Sequence, residues 1–258
     1  MPEVAVYAPG TVSWVDLQSK DLEKSKAFYS KLFGWQPNTI PDPQAGGYTW
    51  FLQDGKQVGA LGGTQSPDQP TSWSIYFATE DADKTAEAVK AAGGKVIAEP
   101  FEVMGAGRMA GFQDPAGAFF SVWEPGSHKG FEAQIGQPST YAWTELNARG
   151  FDKDLAFYTK VFGWGTKVSP MGEGKGDYTE FQVAGTSIGG GMEMMQPPGT
   201  PSHWLVYFGS KDTDATTKKV AELGGTIMLE PQDFPGGRFS IVTDPQGAAF
   251  GILTMKQA

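Results

Sequence analysis

The chain contains no cysteine and only two histidines. The first absence removes disulfides, thiol nucleophiles and thiolate metal sites together. The second leaves few imidazoles for a zinc, iron or nickel centre, which ordinarily draws on several. Cations are also in deficit. Twenty Lys and Arg stand against 29 Asp and Glu, a formal charge of −9. Binding to nucleic acid needs clustered cations, so no nucleic-acid partner is expected. No apolar run approaches the ~20 residues of a spanning helix, so no membrane partner is expected either. Met1–Gly10 lacks a basic region followed by an apolar core, so no secretory leader is expected and the default location is cytoplasmic. Neither a glycine-rich phosphate loop with its lysine nor a Gly-x-Ser-x-Gly elbow occurs, so nucleotide cofactors have no support.

What is present suits a packed interior: 258 residues, 40% hydrophobic, with eight Trp and seventeen Phe. That is enough for two domains, each with its own core. The chain is in fact written twice. Trp14, Phe28, Tyr29, Phe33, Gly34 and Trp35 return as Trp143, Phe157, Tyr158, Phe162, Gly163 and Trp164. Tyr76-Phe77 returns as Tyr207-Phe208, Gly107-Arg108 as Gly237-Arg238, and Asp114-Pro-x-Gly-Ala as Asp244-Pro-x-Gly-Ala. The offset stays at about 130 residues throughout, the length of a domain rather than of a solenoid unit. The domains are assigned to residues 8–126 and 140–256, with a linker at 127–139 that carries Gly130, Gly136 and Pro138.

Within the first half, residues 12–17 read as a strand. Asp21 can cap a helix whose apolar stripe is Leu22, Ser25, Phe28, Tyr29, Leu32 and Phe33, and which Gly34 ends. Strands near 47–53 and 57–62 flank the hairpin turn Asp54-Gly55. The pattern then restarts: strand 73–78, helix 81–92, strands 95–98, 108–113 and 118–123. The whole chain thus reads as four strand–helix–strand–strand–strand modules.

The phrase Asp21-x5-Ala27-Phe28-Tyr29-x3-Phe33-Gly34-Trp35, the Asp-Pro-x-Gly-Ala phrase before a final strand, and their duplication in order resemble the glyoxalase/bleomycin-resistance/extradiol-dioxygenase (vicinal oxygen chelate) superfamily. The resemblance covers nearly the whole chain. It implies an α+β fold of tandem duplicated domains, with four βαβββ modules forming two curved, cup-like sheets. It also implies two similar halves related by a pseudo-twofold, equivalent to two fused subunits, in a monomer or a weak homodimer. Modules from different halves can combine around one cup. The superfamily includes metal-dependent isomerases, lyases, dioxygenases and epimerases, and metal-free proteins that bind drugs. Similar sequences include glyoxalase-like proteins called hydroxylases in polyketide pathways.

The resemblance also implies three metal-ligand positions in each half. Here they fall on Trp14, Ser74 and Ser121, and on Trp143, Leu205 and Gly251. None is His, Asp or Glu, so neither a metal nor another cofactor is expected. Asp16, Glu145, Glu124 and His203 lie nearby in sequence, but not at that spacing.

The candidate ligand-binding residues are aromatic and sulfur-bearing: Trp14, Trp143, Trp73, Trp204, Tyr48, Tyr178, Met192 and Met194. Each is equally a candidate for plain core. Trp35 and Trp164 read as packing residues. Asp16 and Glu145 each interrupt an apolar strand, where a carboxylate needs a partner or a cavity. Arg108 and Arg238 recur at matching places and are the candidate partners, or ligand contacts themselves. Alternatively Asp16 and Glu145 act as bases, their affinity for protons raised by burial. His203, which stands where the first half has Ser72, is a third acid–base candidate; His128, in the linker, reads as solvated.

Three functions remain open on these grounds. The first is metal-free binding or tailoring of an apolar or aromatic small molecule, such as a polyketide or antibiotic. The second is an enzyme (lyase, isomerase or oxygenase) that uses a carboxylate-bound metal or acid–base residues. The third is a structural or regulatory protein whose cups are filled. The differences between the halves favour one ligand per chain, near Trp143, Glu145, Met192 and Trp204.

Overall fold

A computed structural model of the chain describes residues 7–172 and 176–256. The N-terminal stretch read for a leader falls partly outside them. The first module runs β1 (Val12–Ser19), α1 (Leu22–Phe33), β2 (Gln36–Thr39), β3 (Thr49–Gln53), β4 (Lys56–Gly63). The second runs β5 (Ser72–Ala78), α2 (Ala82–Ala91), β6 (Lys95–Val103), β7 (Gly107–Gln113), β8 (Phe119–Pro125). The third runs β9 (Tyr141–Ala148), α3 (Phe151–Phe162), β10 (Gly165–Pro170), β11 (Asp177–Val183), β12 (Thr186–Glu193). The fourth runs β13 (His203–Gly209), α4 (Thr213–Glu222), β14 (Thr226–Phe234), β15 (Gly237–Thr243), β16 (Ala249–Met255). The strands form two open, mixed, eight-stranded sheets, ordered β2-β3-β4-β1-β5-β8-β7-β6 and β10-β11-β12-β9-β13-β16-β15-β14. No helix among the described residues is long and apolar enough to cross a membrane.

The helices follow their sequence signals. Asp21 caps α1 by accepting from the Lys24 amide, and Gly34 ends it in the left-handed region at φ 78, which costs a glycine nothing. Strand β2 is polar and exposed throughout, so no alternation announces it. Strand β6 outruns its expected end at residue 98 and passes through Pro100 to Val103. It lies at the sheet edge, where proline's missing N–H forfeits no ladder bond.

Contacts gather into two compact units that do not follow the sequence repeat. One comprises Met1–Trp14, Ile75–Gly130 and Thr144–Leu205; the other comprises Val15–Ser74, Phe131–Trp143 and Val206–Ala258. Each unit therefore joins a module of one half to a module of the other. In the second unit, α1 lays Phe28 and Tyr29 against Phe250 of β16, and Phe33 against Phe208 of β13. In the first unit, α3 lays Phe157 and Tyr158 against Phe120 of β8, and Phe162 against Phe77 of β5. Trp35 and Trp164 are packing residues, both buried. Their indole N–H groups donate to the carbonyls of Ser139 (2.8 Å) and Gly10 (3.0 Å).

One buried polar chain runs through each core. In the second unit the Trp73 indole donates to Tyr29 Oη (3.0 Å), and Tyr29 donates to Asp244 Oδ2 (3.2 Å). Asp244 Oδ1 accepts from the amides of Gln246 and Ala248 (2.8 and 2.9 Å). The first unit repeats this with Trp204 to Tyr158 (2.8 Å) and Tyr158 to Asp114 (3.0 Å). Burial, then the facing carboxylate, pushes both tyrosine pKa values well above the ordinary phenol range, so both stay protonated donors. Removing one donor would leave a buried carboxylate oxygen short of a partner. Tyr158→Phe should therefore lower the free energy of unfolding by about 1–3 kcal/mol in urea titrations. A loss within error would show that the bond is dispensable.

Candidate functional site

Strand pleating separates the candidates into two faces. On β1, Val15 and Leu17 are fully buried between Trp14, Asp16 and Gln18, which point the other way. In the second unit the register places Asp16 beside Ala60, Gln18 beside Gly62, and Trp50 beside Ala60. Asp16, only 3% exposed, accepts from Gln18 Nε2 (3.1 Å) and Tyr48 Oη (3.3 Å). In the first unit the equivalent cluster is built on β9, β11 and β12. Glu145 sits beside Gly190, Asn147 beside Met192, and Glu180 beside Gly190. Asn147 donates to Glu145 Oε1 (3.0 Å) and accepts from Gln196 Nε2 (3.4 Å). A side chain at Gly190 would collide with the Tyr178 ring, so glycine there admits the phenol. Where the second unit has Trp50, the first has Glu180, whose carboxyl is held below its ordinary range by bonds from Ser187 and Lys167.

The structure thus brings Glu145, Tyr178 and Met192 together, and separately Asp16 and Tyr48. It does not pair either carboxylate with an arginine. Arg108 bonds Asp83 in the first turn of α2 (2.6 Å) and lies near Glu124 (3.4 Å). Arg238 bonds Asp214 in the first turn of α4 (2.6 Å) and Asp233 (3.1 Å). Gly-Arg opens β7 and β15 opposite those turns, so each arginine neutralises a first-turn aspartate. Trp73 and Trp204 belong to the helix-packed core through their tyrosine bonds, and so sit on a different face from Trp14. Met194 is buried just past β12, and Trp143 is half-buried on β9. His203 is only partly covered, with Nδ1 at 2.9 Å from the Pro201 carbonyl.

The linker histidine is not solvated, as its sequence suggested. His128 sets its ring edge-on to Trp14 (4.5 Å) and Trp123 (5.6 Å) in the first unit. Burial lowers its pKa to about 4, so it is neutral near pH 7, and its Nε2 atom has no hydrogen-bond partner among the described residues.

Sequence reasoning missed Asp154. It stands on the buried stripe of α3 where α1 has Ser25, and is fully buried. Its Oδ1 accepts from the Ala116 amide (3.1 Å), and its Oδ2 has no partner among the described residues. Ser25 by contrast bonds Ser19 Oγ and Gln246 Nε2 (2.8 and 2.7 Å), positions that are Ala148 and Ala116 in the first unit. Burial first, then the nearby charges of Asp114 and Glu193, raises the Asp154 pKa to about 7, opposed by the Ala116 amide and Lys153. An unfolded aspartate titrates near ~4, so the folded chain binds the extra proton between about 4 and 7. Stability therefore falls as pH rises through that window. Asp154→Ser should remove this slope. Between pH 5 and pH 8 the wild-type melting temperature should fall relative to the variant's, and parallel profiles would refute the assignment.

At the positions the superfamily resemblance marks for metal ligands, the side chains are indole, hydroxyl and alkyl, with one glycine. Trp14 lies on β1, Ser74 on β5, Ser121 on β8, Trp143 on β9, Leu205 on β13 and Gly251 on β16. Among the described residues no three His, Asp or Glu side chains gather closely enough to hold a metal. Two surface depressions touch none of these metal positions, though Glu124, the neighbour of Arg108, lines the second. One, of about 240 Å³, is lined by Phe33, Ser139 and Thr216 in the second unit; the other, of about 450 Å³, by Tyr7, Thr79 and Glu80 in the first.

Residues 11–122 and 140–252 each match the family described as Glyoxalase/Bleomycin resistance protein/Dioxygenase superfamily. The chain is 38% identical to the anthracycline biosynthesis protein DnrV of Streptomyces peucetius, over 97% of this chain and 95% of that protein. It is 37% identical to the anthracycline biosynthesis protein DauV of Streptomyces sp. (strain C5), over 98% of this chain and 96% of that one. Among solved structures it resembles the Mn(II)-bound glyoxalase of Novosphingobium aromaticivorans. The TM-score is 0.66 at 22% identity, covering 95% of this chain and 82% of that one, a likeness of fold.

Proposed function

The chain belongs to the glyoxalase/bleomycin resistance protein/dioxygenase superfamily, and on that premise we propose that it binds an apolar or aromatic metabolite without a protein-held metal, to shelter it or to present it for tailoring. The observation that carries this reading is the donor set at the superfamily's metal positions. Tryptophan, serine, leucine and glycine supply no imidazole or carboxylate, and so do not fit a catalytic divalent metal. The full-length similarity to two anthracycline biosynthesis proteins supports a polyketide-like, antibiotic-type ligand class. Burying ~200 Å² of an aromatic ligand would contribute about 5 kcal/mol before entropy losses. The clusters at Asp16 and Glu145 offer carboxylate and amide groups to orient its hydroxyls.

A catalytic reading has one specific support. Glu145 is 8% exposed on an apolar strand, where a carboxylate can serve as a base. It would use acid–base chemistry by Glu145 rather than a metal.

Native mass spectrometry and elemental analysis of protein purified from its own source test the proposal. Well under one equivalent of Zn, Fe, Ni or Mn is expected, together with a retained organic mass. Stoichiometric metal that is lost in Glu145→Gln would overturn it. Turnover of the retained molecule, abolished by the same substitution, would favour the catalytic reading.

A further inference from the structure

The start of α3 is held in a way that the start of α1 is not. Asp21 caps the first turn of α1 from the preceding residue, and Ser25, one turn in, bonds Ser19 and the side chain of Gln246. In the first unit Gly150 stands in the place of Asp21 and offers no side chain. Glu193, the last residue of β12, takes over. Its carboxylate accepts from the Gly150 amide at 3.0 Å and from the Phe151 amide at 2.9 Å. Ala116 and Ala148 replace Gln246 and Ser19, and Asp154 replaces Ser25. A neutral network of hydroxyls and an amide has given way to a carboxyl group.

That carboxyl group is short of donors. Asp154 is fully buried; its Oδ1 accepts from the Ala116 amide at 3.1 Å, and its Oδ2 has no partner among the described residues. The same amide donates to Asp114 Oδ1, also at 3.1 Å. Asp114 has in addition the Ala118 amide at 2.8 Å and the Tyr158 hydroxyl at 3.0 Å. Two buried carboxylates that converge on one N–H cannot both ionise without cost, and the one with fewer donors keeps the proton. Here that one is Asp154.

The charges facing Asp154 are mostly of its own sign. Asp114 comes from the turn between β7 and β8, and Glu193 from β12; Lys153, on its own helix, opposes them. Asp152 shares its helical turn. Arg149, just before α3, spends its guanidinium on the carbonyls of Gln196 and Pro197. Helix α2 ties to α3 farther along, where Lys160 reaches the Ala91 carbonyl. When Asp154 ionises, repulsion therefore acts on Asp114 and Glu193. Asp114 is buried and held by three donors, whereas Glu193 is exposed and holds only the two helix amides. The weaker hold yields.

We propose that Asp154 is a proton-operated latch on the first turn of α3. Protonated, it lets Glu193 clamp the helix N-terminus to the end of β12. Ionised, it drives Glu193 off those amides and frees the connection that runs from β12 to β13. That connection borders the Glu145 cluster: Met192 lies beside Asn147, and Gln196 Nε2 donates to Asn147 Oδ1 at 3.4 Å. Acid conditions tighten this wall of the cluster, and neutral or alkaline conditions loosen it. The latch operates whether or not the cluster binds a small molecule.

Amide hydrogen exchange of the full chain, read by NMR and corrected for intrinsic rates, tests the latch on both of its sides. The amides to follow are Phe151, which Glu193 caps, and Met194, which bonds the Ala148 carbonyl next to Glu193. Between pH 5 and pH 8 their protection should fall by about tenfold or more, because the closed form binds a proton that the open form releases. The Lys24 amide, capped by Asp21 in the second unit, should show no such fall. Asp154→Asn keeps the shape and cannot ionise, so Phe151 and Met194 should stay protected across the range. Glu193→Gln should lower their protection at pH 5 and remove most of the fall. Wild-type protection that does not change with pH, or that changes equally in Asp154→Asn, would overturn the latch. So would a fall confined to the Ala116 and Ala118 amides, which would place the yielding in the Asp-Pro turn.

Discussion

The bond between a helix tyrosine and the aspartate of an Asp-Pro turn holds each unit of this protein together. Tyr29 lies in the first module and Asp244 in the fourth; Tyr158 lies in the third and Asp114 in the second. Each tyrosine also accepts the indole proton of Trp73 or Trp204, so a strand, a helix and a hairpin meet at one hydroxyl. In a buried setting such a chain is worth making only if every member is satisfied. Here the aspartate's second oxygen is occupied by turn amides, which closes it. The aromatic rings around it add apolar burial, and their edge-to-face contacts fix orientation. The pairing of modules from different halves follows from this geometry: the aspartate that completes each tyrosine is supplied by the other half.

Around that shared frame the two units have diverged in polar detail. In one, Gln246 threads three bonds through Ser19, Ser25 and the Asp21 carbonyl. In the other, alanines replace the glutamine and the first serine, and Asp154 enters with a proton it keeps to near neutrality. The N-terminus of α3 has also changed its cap. Gly150 offers no side chain, and the carboxylate of Glu193 on β12 accepts from the Gly150 and Phe151 amides instead. The charge that favours a helix N-terminus is supplied from across the fold rather than from the preceding residue. The tyrosine–aspartate chain and the aromatic contacts around it are kept in both units while these polar details differ.

The exposed faces of the sheets have drifted further. Glycine decides where a ring can lie close on the sheet. Gly190 makes room for a phenol, Gly251 lies under one, and Gly111 lies under the ring of Phe119. In each case the missing Cβ admits the ring that lies above it.

The repeat, the helices with their Asp and Gly ends, and the order of strand–helix–strand–strand–strand modules were legible in the sequence, because each is written in local periodicity and capping residues. The superfamily was legible too, through phrases that serve the buried tyrosine–aspartate chain. The residues of the site were only partly so. Alternation told that Asp16 and Glu145 interrupt apolar strands and puts Gln18 and Asn147, two residues further along, on the same faces, but Tyr48 reaches Asp16 only across the sheet, and Arg108 and Arg238 pair with first-turn aspartates of α2 and α4. The polar strand β2 carried no periodic signal and exists only because β3 pairs with it. Which of two equivalent tryptophan sets lies in the core depended on the face each strand turns to its helix. That Asp154 keeps a proton and that His128 is half-buried were decided by packing alone. Burial is set by residues far apart in the chain.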